Sequence, residues 1–173
     1  QHKNHRCRRR QYENYLSDVV VTNSIHSPGV IFEAYLQNDI NNVTGDFTSV
    51  PLLFDTVVTQ VGCTYNAATG AVNVTVPGIF SWYAVVKFNG IISGANAVGV
   101  NFNGSFNTIV PVTGSGAALK LIDNTLTIPA FVSKQLANSG DGVRVSANVN
   151  NAASKVSGFS GGGLTRFKII KLN

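Results

Sequence analysis

The sequence predicts an all-β fold, a jelly-roll sandwich, and three observations carry that expectation. From Val30 onward the chain is a series of short β-branched and aromatic runs separated by Gly, Asn, Asp and Pro. No segment sustains the three-and-four apolar spacing of an amphipathic helix, so helix is expected to be scarce. With 44% hydrophobic and only 12% charged residues in 173, the chain has the material for one real core and too little charge to stay unfolded. Strands at this spacing, joined by Gly and Asn turns, assemble as sandwiches or jelly rolls.

Residues 1–29 form an arm: basic residues first, then a stretch without helical period that ends at Pro28-Gly29. The jelly-roll domain occupies 30–173. Its first strand is VIFEAYL (30–36), followed by FTSVPLLFDTVVTQVG (47–62), which Pro51 breaks. Residues 63–76 make a hairpin about the Asn66–Gly70 turn, with Val72, Val74 and Val76 alternating behind it. Pro77-Gly78 turns the chain into IFSWYAVVKF (79–88), the longest strand and the centre of the core. Asn89-Gly90 gives a two-residue hairpin signal. AVGVNFN (97–103) and FNTIVPV (106–112) flank a tight turn at Asn103-Gly104-Ser105. TLTIPAF (125–131), GDGVRVSANVN (140–150) and LTRFKIIKL (164–172) complete the strands.

Charge is distributed in a way that separates two jobs. Lys3, Arg6, Arg8, Arg9 and Arg10 give +5 in the first ten residues, while eight Lys/Arg and eight Asp/Glu cancel over 11–173. A polycation ahead of a neutral globule meets a polyanion with the arm and leaves the body for assembly. Arginine outnumbers lysine four to one there, which suits phosphate because the guanidinium fork holds two oxygens. Tyr12 and Tyr15 lie just behind and can stack on unpaired bases. RNA is therefore the expected partner; glycans, anionic lipid, a solvated tail and the remnant of a processing site satisfy the same charges. So uncharged a surface expects neighbours, hence a stable oligomer.

Cys7 and Cys63 lack the spacing of a metal knuckle or redox pair; two free thiols and a bridge from arm to body both stay open. The Asn42, Asn73 and Asn103 sequons occur about as often as chance allows and say nothing of secretion. No apolar run is long enough to span a bilayer, and none behind the basic start makes a signal peptide.

Several segments, in order, resemble the globular head of complement subcomponent q and its tumour-necrosis-factor-like relatives. Phe32-Glu33-Ala34-Tyr35-Leu36 stands where that family has aromatic-x-Ala-x-Leu. Phe54, Val57, Gly62, Tyr65-Asn66 and Thr69-Gly70 follow its Gly-x-x-Tyr-Asn-x-x-Thr-Gly stretch. Pro77-Gly78-Ile79-Phe80, Gly140-Asp141-Gly142-Val143 and Phe159-Ser160-Gly161 match later signatures, over roughly 30–165. Gly161-Gly162-Gly163 departs from the apolar residues usual after Phe-Ser-Gly, and no Gly-x-y stalk precedes the domain. The resemblance implies a ten-strand-type jelly roll packing as a tight trimer through an apolar, aromatic seam. Phe32, Tyr35, Tyr65, Phe80, Trp82, Tyr83 and Phe159 are assigned to that seam or to the core. In layout and length the chain is also similar to the coat proteins of satellite RNA viruses.

No enzyme is expected. Gly158-Phe159-Ser160-Gly161-Gly162 fits Gly-x-Ser-x-Gly, but a strand follows where a nucleophile elbow needs a helix, and His2, His5 and His26 all precede the domain. Gly114-Ser115-Gly116 lacks the Lys-Ser/Thr of a phosphate loop. Asp39, Asp46, Asp55, Asp123 and Asp141 are isolated carboxylates. Relatives of both kinds sometimes hold calcium, for which Asp141 is the candidate, although a turn aspartate is the simpler reading. The expected function is a virion coat subunit: the jelly roll trimerises and closes an icosahedral shell, and the arm binds genomic RNA. The alternative is a secreted, extracellular recognition module that takes carbohydrate or microbial surface through loops such as 89–97 and 113–124.

Overall fold

The computed structural model describes residues 29–43, 45–91, 97–113, 125–150, 154–156 and 165–172, and every regular element among them is a strand. In chain order these are β1 (Gly29–Tyr35), β2 (Ile40–Val43), β3 (Val50–Pro51), β4 (Thr56–Gln60), β5 (Cys63–Asn66), β6 (Ala71–Val74), β7 (Gly78–Asn89), β8 (Ala97–Gly104), β9 (Thr108–Thr113), β10 (Thr125–Leu136), β11 (Gly142–Asn150), β12 (Ser154–Val156) and β13 (Arg166–Lys171).

They form two antiparallel sheets. The larger runs β2-β12-β7-β13-β1-β4, with β10 paired along the whole of β7. Since β10 fills one edge of β7, β13 and β12 share the other, end to end. The smaller sheet runs β5-β6-β11-β8-β9, and β3 joins the edge of β11 beyond β6. The fold class expected from the sequence is the fold observed: all-β, two layers, jelly-roll connections.

Alternation along each strand puts one side chain in two into the space between the sheets. In β7, Phe80, Trp82, Ala84, Val86 and Phe88 are buried, as are Val98, Val100 and Phe102 of β8 and Val143, Val145, Ala147 and Val149 of β11. Phe167 of β13 is the hub of the aromatic centre. Its ring lies 5.6 Å from Phe32, 5.8 Å from Phe54, 6.1 Å from Trp82 and 6.3 Å from Phe102. Each such ring contributes about 1.5–3 kcal/mol by leaving water.

The β5–β6 hairpin forms where the sequence places it. The Asn66 side-chain oxygen accepts from the backbone N–H of Ala68 (3.0 Å) and Thr69 (3.3 Å), closing the turn locally, and Gly70 completes it at φ 70°. The β8–β9 hairpin is also present, and its turn is held by Gly104 at φ 146°, a conformation open only to glycine. A Cβ at Gly104 would lie 2.1 Å from the Gly142 carbonyl oxygen, on the adjacent strand. Gly104→Ala is expected to lower stability by about 2–4 kcal/mol, read as the shift of a urea midpoint. Gly90→Ala serves as control: its φ is 73° but the space around it is open, so only about 1–2 kcal/mol of backbone cost is expected.

Two expectations need correction. Asn89-Gly90 does not make a hairpin, because β7 and β8 belong to different sheets and the chain crosses the sandwich after Gly90. Only the positive φ at Gly90 was legible; the partner was not. The 47–62 run is interrupted where expected: β3 ends at Pro51, and the change of sheet takes place at 52–55, between β3 and β4. The ten-strand-type count is exceeded, with thirteen strands among the described residues, because short β2 and β12 pair with each other at one end of the large sheet and two-residue β3 adds to the edge of β11.

Candidate assembly surfaces

Each face of the large sheet has one fate. The inner one is core, and the outer one gathers the exposed rings and aliphatic groups. By register, Phe131 lies opposite Tyr83, Pro129 opposite Val85, and Ser133 opposite Ser81, whose hydroxyls meet at 2.9 Å. On the other side of β7, Lys168 lies opposite Tyr83, Arg166 opposite Val85, and Ile170 opposite Ser81. Glu33 of β1 forms an ion pair with Lys168 on this face, at 3.7 Å. Phe131 is 62% exposed although it is the largest apolar side chain there, and Ile79 and Leu172 extend the patch to the end of the sheet.

A second apolar surface lies on a different side of the molecule. At the edge strand β4 and the bend into β5, Val58 and Val61 are 61% and 64% exposed, with Val57, Val76 and Leu53 nearby. Thr75 brings β6 back onto this bend, its N–H and hydroxyl both donating to the Gly62 carbonyl. Edge strands are commonly blunted by lysine, proline or a bulge. TVVTQ carries neither charge nor proline, although its register against β1 shifts so that Val58 is skipped. Face and edge differ, so a contact between them would be heterologous, a type that gives a ring if its rotation closes and a filament if it does not.

Of the residues assigned to the seam or core, Phe32, Phe80 and Trp82 are wholly core. Tyr65 is half-buried beside Phe32 (5.3 Å) and its hydroxyl donates to the Phe54 carbonyl at 2.9 Å, so it too is structural. Tyr35 and Tyr83 stand half-buried on the outer face. Phe159, and the arm residues Lys3, Arg6, Arg8, Arg9, Arg10, Tyr12 and Tyr15, lie outside the described residues, as do Cys7 and the loop stretches 92–96 and 114–124. The arm joins the sheet at Gly29, which pairs with Lys171 of the C-terminal strand. Phe131, Val58 and Val61 were not singled out from sequence. The signal available for the two valines was a strand-like run without a single charge.

Asp141 behaves as a turn residue. Its carboxylate accepts from Ser105 Oγ (3.3 Å) and from the Asn138 N–H (3.0 Å), and no cluster of three or more His, Cys, Asp or Glu occurs among the described residues. Cys63 is a buried thiol whose pKa is pushed up by that burial, against a partial lowering from the Val61 backbone. Its Sγ–H donates to the Ile31 carbonyl at 3.3 Å.

Asp55 fastens the β1–β2 connection to the loop before β4. It accepts from Gln37 N–H, Asn38 N–H (3.1 Å), Asn38 Nδ2 (3.0 Å) and Thr56 Oγ1 (3.3 Å). Burial alone raises its pKa, but these four donors together outweigh it and hold the carboxyl below its ordinary 3.8. A lowered pKa gives stability that is present above the unfolded value and lost as pH falls through the folded one. Asp55 is largely exposed, so the effect is small: wild type is expected to exceed Asp55→Asn by about 0.5 kcal/mol at pH 7. That gap should close as pH falls below 3.8 and through the lowered folded-state value, as followed by thermal melts.

The two packed antiparallel sheets make a jelly roll. No protein-family model matches the chain, and no curated protein matches its sequence. Solved structures do. The globular domain of zebrafish complement 1qA protein is similar at TM-score 0.52 and 11% identity, over 82% of this chain and 96% of that one. Murine APRIL at pH 5.0 is similar at 0.51 and 19%, over 83% and 98%. The PRD1 vertex protein P5 is similar at 0.52 and 15%, over 84% and 99%. At these identities the likeness is one of fold, and it is the fold that the sequence motifs implied.

Proposed function

We propose that this chain is a structural protein: the coat subunit of a very small icosahedral RNA virus, assembling through its jelly roll and neutralising RNA with its arm. The single observation that carries the reading is the division of charge, +5 in residues 1–10 against a formally neutral remainder. The fold supports it, being shared with a viral vertex protein. The outer face around Phe131 and the uncharged edge at β4 support head-to-tail trimers, with Phe131 seated against the partner's β4 edge. No chemistry is required of such a protein, and no catalytic role is assigned.

Capacity agrees with the role. About sixty copies closing a shell supply on the order of 300 positive charges, a useful share of an RNA of around a thousand nucleotides. A lone trimer, with about fifteen, would bind nucleic acid weakly at physiological salt. Sizing and ultraviolet absorbance test the reading together. Particles near a megadalton with strong 260 nm absorbance are expected; nucleotide-free complexes of about 55 kDa (three chains) would overturn it.

A secreted recognition module is the second reading, favoured by one observation: the complement-head motifs occur in order over most of the domain, and that head shares the fold. In that case the nucleotide-free trimer is the native state, and the signal peptide of the precursor is the distinguishing feature.

A further inference from the structure

The small sheet has an outer face unlike that of the large one. β8 and β11 turn Asn101, Asn103, Ser146 and Asn148 outward, yet three of these are nearly closed off from water: Asn101 is 7%, Asn148 2% and Ser146 1% exposed. Asn101 Nδ2 donates to Ser49 Oγ at 2.8 Å. Its Oδ1 has no partner, nor do Asn103 Oδ1, Asn148 Oδ1 or Ser146 Oγ. Four side-chain oxygens without hydrogen bonds on one sheet face are an anomaly, because burying such a group unpaired costs about 1–3 kcal/mol. Beside them, over the β8–β9 hairpin, lies a groove of about 270 Å³ lined by Asn101, Phe102, Asn103, Asn107, Thr108 and Ile109.

The lining decides the ligand chemistry. It holds no carboxylate, so a divalent metal would not be compensated there, and the nearby cation, Arg144 opposite Asn103, is not among the lining residues. A peptide strand adding to the edge is opposed by Pro111, which removes an N–H from β9 and forbids a continuous ladder. Amides and a hydroxyl both donate and accept, and Ile109, half exposed, offers an aliphatic surface between them. That combination fits a ring bearing several hydroxyls and an apolar face. The volume lies at the small end for ligand sites, the scale of one terminal sugar.

We infer that this groove is a binding site for the terminal residue of a neutral glycan, read by Asn103, Asn107 and Thr108 and seated on Ile109. The site is on the sheet opposite the Phe131 face, so it stays open when that face is covered. It is also independent of the arm, and it does not rest on the packaging reading.

The test uses the full chain made in bacteria, so that the Asn103 sequon is unmodified, on immobilised glycans ending in neutral hexose or N-acetylhexosamine. A sulfated glycan serves as the control for the arm. Retention of at least one neutral glycan is expected, at least tenfold weaker in Asn107→Ala and in Thr108→Val, with sulfated-glycan binding unchanged. Asn107 is exposed but its Oδ1 also accepts from the Gly104 N–H at 3.4 Å, and Thr108→Val keeps the shape of the side chain; a thermal melt checks that both variants fold. Wild type that retains only the sulfated glycan, or neutral-glycan binding that both folded variants preserve, would overturn the inference.

Discussion

A chain lacking residues 1–10 is expected to assemble and to carry no RNA. The deletion removes Lys3, Arg6, Arg8, Arg9 and Arg10 and leaves eight cations against eight anions, a body with no net attraction for phosphate. Single-stranded binding through five contacts has a salt slope of about −3.5, so the intact arm loses about 100-fold in affinity per chain for a fourfold rise in salt. The truncated chain should show a slope near zero. Its strands are untouched, since β1 begins at Gly29. The trimers should therefore stay intact while the 260 nm absorbance falls to that of protein alone. Truncated particles that still shield full-length RNA from nuclease would sink the assigned role of the arm.

Phe131→Asp should dissolve the oligomer without unfolding the subunit. Phe131 stands outside the core at 62% exposure, opposite Tyr83, so replacing it costs the isolated fold little. In an assembled face the same position is buried, and an unpaired carboxylate there costs several kcal/mol, as truncating or charging the centre of an interface commonly does. Mass in solution is expected to fall from that of the assembled particle to that of a single chain of 18.3 kDa. The thermal transition of the dissociated subunit, measured at low concentration, should show a folded protein. An unchanged mass would move the contact away from this face. Val58→Lys tests the complementary surface by placing on β4 the charge that solitary edge strands usually carry.

The core was legible because alternation is a property of the strand itself. Phe80, Trp82, Ala84, Val86 and Phe88 follow one another at spacing two, so one face of β7 had to be apolar wherever its partners lay. The Asn66–Gly70 hairpin was legible because the Asn66 oxygen and Gly70's positive φ build the turn from within it. Asn89-Gly90 carried an equally local signal but led to the wrong partner. A glycine at φ 73° fixes how the chain bends, and a bend alone does not say whether the next strand returns to the same sheet. β2 and β12 escaped notice because neither has an apolar period; pairing with each other and with β7 is what makes them strands.

By itself the sequence determined the two-layer β class, the inward row of each long strand, and the split between a charged arm and a neutral body, because each is a matter of periodicity or of counting. Only the tertiary structure decided that Phe131 and Val58 face outward on different surfaces, and that Asn101, Ser146 and Asn148 share one closed-off face. Those positions depend on which edges are left unpaired once the sheets stack, and that is set by contacts between residues far apart in the chain.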